Sequence, residues 1–138
     1  MNKKSFSAEL EQLHAMLKFI EKESKAREIQ PSLIDKIILA AEEALVNVID
    51  YSYPSGQGLI EIFCEDSHER KGFVVIIKDY GVPFDPLKQT YKHSDLSKVK
   101  DSQALGGYGI YIFIGVMDKV EYQRNTDGNQ LTLVKYLD

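Results

Sequence analysis

The hydrophobic period of the chain changes from helical to alternating and back, and that change most constrains its fold. From Glu9 to Glu28, Leu10, Leu13, Leu17 and Ile20, with Met16 and Phe19 beside them, recur at helical spacing. Pro31 opens a second such run that continues to about Tyr51, with Ser32 and Asp35 spaced as a capping box. Pro54, Ser55, Gly56 and Gly58 stop it. Leu59 to Cys64 and Phe73 to Lys78 are then β-rich runs separated by the polar stretch Glu65 to Gly72, which predicts neighbouring antiparallel strands with a mobile tip. Val120 to Arg124 and Gln130 to Leu137 predict a further pair around the turn Thr126 to Asn129, and Lys4 to Ser7 an edge strand. Between the two pairs lie a long polar segment, Pro83 to Gln103, and a compact apolar helix over Ile110 to Met117. The order predicts an α+β fold, a two-layer sandwich of a mostly antiparallel sheet with helices on one face. A chain of 138 residues is expected to form a single domain over 1–138.

Composition removes several classes of function. With 17 Lys+Arg against 21 Asp+Glu the net charge is −4, the wrong sign for a nucleic-acid backbone binder. The tyrosines, among them Tyr51, Tyr53, Tyr80 and Tyr108, therefore read as pocket wall and core and not as a base-stacking platform. The lone Cys64 alternates with Ile60 and Ile62 and is expected to be a small buried hydrophobe, while His14, His68 and His93 lack the spacing of a zinc site. No run approaches the roughly 18 apolar residues of a membrane span. A soluble protein in a reducing, cytoplasmic setting is expected.

Three clusters carry possible chemistry. Glu43 and Asn47 lie one turn apart on the second helix and, at about 100° per residue, about 40° apart around its axis. They are nearly opposite the main apolar stripe of Ile34, Ile37, Ile38, Ala41, Leu45, Val48 and Ile49, so the pair alone reads as a solvated face. Asp79 to Pro86 follows a strand directly. A carboxylate there can accept a hydrogen bond from an amino group, and Gly81 has no side chain to block a flat ring, which suits adenine. On its own the segment reads better as a Gly-Pro turn with a capping aspartate. Gly106, Gly107 and Gly109 precede the third helix, where backbone N–H groups and the positive end of a helix dipole welcome phosphate. Ile112 stands where a dinucleotide fingerprint needs its last glycine, and no P-loop is present.

What no cluster carries alone, the three carry in order. Glu43 with Asn47, Asp79-x-Gly81 and Gly107-x-Gly109 resemble the N, G1 and G2 boxes of the Bergerat (GHKL) ATP-binding fold. Glu42 to Asn47 followed by Tyr53-Pro54, the run Asp79 to Pro86, and the block from Gly106 to Leu137 resemble in particular the anti-sigma factor serine/threonine kinases, over nearly the whole chain from Phe6.

The resemblance implies an ATP-binding kinase that moves the γ-phosphate to a Ser or Thr of an anti-sigma antagonist (STAS-type) protein. It implies Glu43 as general base, Asn47 as the ligand of Mg²⁺, and Asp79, Gly81 and Phe84 around adenine. Gly106, Gly107, Tyr108, Gly109 and Ile110 would hold the phosphates, under an ATP lid at about 83–105. A sigma factor and a second copy of the chain are further partners implied. The alternative is a non-catalytic ATP-bound module that sequesters a sigma factor or other regulator. Two departures stand out: no arginine lies between Glu9 and Lys25, and Tyr51 stands where relatives commonly have histidine, a swap that packing can absorb.

Overall fold

The computed structural model describes residues 1–87 and 115–138. Strand β1 (Asn2–Ser7) leads through a single 3₁₀ turn, Leu10–Gln12, into α1 (Leu13–Ala26) and then α2 (Pro31–Asn47). A π-helical turn, Val48–Ser52, continues α2, and β2 (Leu59–Asp66), β3 (Gly72–Asp79), β4 (Lys119–Arg124) and β5 (Asn129–Tyr136) follow. The strands form one sheet in the order β1-β2-β3-β5-β4, and every neighbouring pair is antiparallel.

Strand alternation decides which face the helices cover. Ile60, Ile62 and Cys64 of β2, Phe73, Val75 and Ile77 of β3, and Leu131 and Leu133 of β5 are buried in one cluster with Met16 and Ile20 of α1 and Ile34, Ile37, Ala41 and Leu45 of α2. The architecture is therefore the α+β sandwich expected, with α1 and α2 on one face. Arg27 fastens the end of α1 to the sheet. Its guanidinium donates to the Glu23 carbonyl at 3.0 Å and to Asp66 at 2.8 Å, and lies 5.1 Å from the Phe73 ring centroid. His14 is exposed, and Cys64 is fully buried with its thiol pushed up to about 12 by that burial, in keeping with a structural role.

Local details differ from the sequence expectation in identifiable ways. No capping box forms at Ser32: α2 begins at Pro31, the extended residue before it is Gln30, and no side chain caps the helix. Proline at the first position presets its own φ and has no N–H to satisfy, so the start lies one residue earlier. The strands of the first hairpin run on to Asp66 and back from Gly72, and Asn129 belongs to β5, not to the turn before it. Most of the lid, and the helix expected over Ile110 to Met117 apart from its last residues, lie outside the described residues.

Candidate functional site

The buried arc of α2 is wider than its stripe of large side chains. Ala40, Ala41 and Ala44 are buried beside Ile34, Ile37 and Leu45, and Asn47 is buried with them at 3% exposure. The alanines let the sheet approach on that flank, so the solvated-face reading of Asn47 does not hold. Its Nδ2 atom is buried with no hydrogen-bond partner among the described residues, which costs free energy unless something polar meets it. Glu43, one turn before it and about 40° round the helix, is half-buried. Burial and the neighbouring charge of Glu42 push its carboxyl above the ordinary range.

Asp79 ends β3 facing the same place, with 1% exposure. Its Oδ1 accepts from the Gly81 N–H and from Asn129 Nδ2, each at 2.9 Å. Burial nevertheless raises its pKa, and these two bonds, with the nearby Ser52 hydroxyl and Arg124, offset the rise only in part. Ser52 Oγ is close enough to favour the charged carboxylate, yet finds no partner at hydrogen-bonding geometry among the described residues. The chain around Asp79 is held tightly. Tyr53 OH donates to the Leu59 carbonyl and accepts from the Tyr80 N–H, both at 2.6 Å, and the Val82 N–H reaches the Ser52 carbonyl at 2.8 Å.

Glycine is needed at Gly81 for a reason the sequence did not disclose. A Cβ there would lie 2.0 Å from the Ser52 carbonyl oxygen, so the close pass of the post-β3 segment against the π-helical turn excludes any side chain. Gly128 is under the same constraint from the other side, where a Cβ would lie 1.8 Å from the Asp79 carbonyl oxygen.

Asn47, Asp79 and Phe84 line one pocket, closed by Ala44, Val48, Ser52, Pro86, Tyr122, Asn129 and Leu131. Its free space is about 10 Å³, enough for about one water. Gly81 lies just behind the wall, and Glu43 is one turn from Asn47 but does not line the pocket. Phe84 is stacked under the exposed ring of Tyr51, with centroids 5.0 Å apart. Tyr51 thus covers the pocket wall from outside and does not fill the core. Gly106, Gly107, Tyr108, Gly109 and Ile110 lie outside the described residues.

Four contributors escaped sequence reasoning: Ser52, Tyr122, Arg124 and Asn129. Asn129 had the one available signal, a polar residue that opens a strand after glycine; its meaning appears only with the register that pairs it with Asp79.

A small pocket thus lies between a helix bearing a buried asparagine and an antiparallel sheet with a carboxylate at a strand end, in an α+β domain. The family model described as the histidine kinase-like ATPase domain matches residues 6–135, and the chain belongs to that family. The curated serine-protein kinase RsbW of Halalkalibacterium halodurans is 32% identical over 108 residues, 75% of this chain and 63% of that protein. The serine-protein kinase RsbW of Bacillus cereus is 26% identical over 106 residues, 75% of this chain and 64% of that protein. The matched part of the chain thus spans a little under two thirds of the length of these curated relatives. Among solved structures, the histidine kinase domain from the Erythrobacter litoralis EL346 blue-light activated histidine kinase aligns with a TM-score of 0.48 at 15% identity, covering 76% of this chain and 45% of that one. The resemblance carried by the three boxes is borne out by the family match and by the kinases.

Proposed function

We propose that the protein binds ATP in the α2–β3–β5 pocket and transfers its γ-phosphoryl group to a serine or threonine of a partner protein, an anti-sigma antagonist. The observation that carries this reading is the convergence of buried Asn47 and Asp79 on one pocket, with the Asn47 amide nitrogen left without a hydrogen-bond partner among the described residues. The family match and the similarity to serine-protein kinases support it.

In this reading the Asp79 carboxylate accepts a hydrogen bond from the 6-amino group of adenine, and Phe84 and Tyr122 give the ring an apolar wall. The free space is too small for a purine, so those two side chains give way on binding. Asn47 would offer a neutral amide oxygen with its amide turned over, so that oxygen takes the place of the unpartnered Nδ2. Among the described residues no group of three or more His, Cys, Asp or Glu could hold a metal ion. One amide oxygen suits Mg²⁺, which keeps several waters and takes its remaining ligands from phosphates. When bound, Mg²⁺ would neutralise charge on the triphosphate. The glycine run Gly106 to Ile110 offers its amides to the phosphates.

Glu43 takes the proton of the acceptor hydroxyl as that oxygen bonds to the γ-phosphorus and the bond from phosphorus to the β-phosphate oxygen breaks, releasing ADP. Its raised pKa makes it a better base than a surface glutamate. The test is phosphate transfer from radiolabelled ATP to proteins captured by the chain. Transfer to a Ser or Thr, lost in Glu43→Gln while ATP binding persists, is the expected result. Capture without transfer would overturn the kinase reading in favour of a sequestering module.

A further inference from the structure

Asn129 opens β5 directly opposite Asp79 and is 3% exposed. Its amide uses both of its donors: Nδ2 reaches Asp79 Oδ1 at 2.9 Å and the Val82 carbonyl at 2.8 Å. Its Oδ1 accepts from the Phe84 N–H at 3.2 Å and from Tyr122 OH, with Arg124 Nη1 at 3.4 Å. The orientation of the amide is determined by these partners. Turned over, its oxygen would face a carboxylate and a carbonyl, and its nitrogen would face three donors. One side chain therefore joins the carboxylate at the end of β3 to the segment that carries the Phe84 wall, and Arg124 ties that segment again through the Gly81 carbonyl at 2.9 Å.

We propose that Asn129 is the positioning residue of the purine pocket: it holds the Asp79 carboxylate and the Val82–Phe84 segment in fixed relation, and so sets the preference for a purine with a 6-amino group. The inference rests on the ATP-binding reading above. A purine with a 6-oxo group turns an acceptor toward the carboxylate, and the penalty is large only while that carboxylate cannot swing away. With both donors and its oxygen occupied, Asn129 itself has nothing to offer the base. Its effect reaches the ligand through Asp79 and Phe84.

The experiment compares the Kd of ATP and of ITP for the wild type and for Asn129→Ala. The wild type should prefer ATP by at least about tenfold. In Asn129→Ala the preference should collapse to within about threefold, through weaker ATP binding with ITP binding little changed. A folded Asn129→Ala that weakens both nucleotides equally, or keeps the wild-type ratio, overturns the role while the ATP-binding reading stands. A wild type that binds neither nucleotide overturns that reading itself. If Asn129→Ala does not fold, the NMR signals of the Asn129 side-chain amide in the wild type decide. They should shift on adding ATP, because Asp79 shares its Oδ1 with that amide, and respond much less to ITP. Signals unmoved by ATP would overturn the proposal.

Discussion

Asp79 carries its charge at a cost to the fold. Burial raises its pKa above the unfolded value, so between those two values the native state binds more protons than the unfolded chain, and stability falls as pH rises through that window. Its contribution is full below the unfolded pKa and lost above the folded one. Asp79→Asn can still accept from Asn129 and Gly81 but cannot ionise. Thermal melts should show the variant more stable than wild type near pH 8 and no such advantage at pH 3. Its ATP affinity should drop roughly 10- to 100-fold, the worth of a hydrogen bond to a charged group. Glu43 offers a second pH test, because Glu42 is one cause of its raised pKa. The acid limb of the phosphotransfer rate should move to lower pH in Glu42→Gln, and an unmoved limb would remove Glu43 from the role of base. Gly81→Ala should cost about 3 kcal/mol or more in denaturant unfolding, since its methyl would meet the Ser52 carbonyl. Of these residues, Asn47 and Asp79, which line the pocket, were singled out in the sequence by the order of the three boxes, with Glu43 and Gly81 beside them. The burial of Asn47 was not, because alanines do not mark an apolar stripe, and Asn129 was not, because its partner is distant in sequence.

Among the elements, α2 and the π-helical turn that continues it give the pocket Ala44, Asn47, Val48 and Ser52, and the two faces of α2 should behave very differently. Ile37 is fully buried against the sheet, whereas Leu39 is 42% exposed. Ile37→Ala should lower unfolding free energy by about 2–5 kcal/mol and Leu39→Ala by less than about 0.5, as read by denaturant titration. Equal losses would mean the helix is seated differently. The helix and strand identities were readable because periods of 3.6 and 2 differ plainly over runs this long. Their ends were not. Pro31 displaced the expected Ser32 cap, and the first hairpin kept pairing through Glu65 and Asp66 despite their charge, because the register to Val74 and Phe73 continues. The π-helical turn after Asn47 left no trace in the hydrophobic pattern. It nevertheless places the Ser52 carbonyl where Gly81 and Val82 meet it.

At the scale of the whole molecule, the sheet order matters more than any single motif. β5 lies beside β3 although the long segment from 80 to 118 and β4 come between them in sequence, and this pairing sets Asn129 against Asp79. The three boxes are far apart in the chain, and two of them meet because the helix layer covers the face onto which β3 and β5 turn Ile77 and Leu131. Among the described residues no helix is long and apolar enough to cross a membrane. The most direct test of the account is isothermal titration of the wild type and of Asp79→Ala with Mg-ATP. The pocket predicts saturable binding of one ATP per chain in the wild type, and loss of that binding in a variant that still melts cooperatively. Equal ATP binding by both proteins would contradict it.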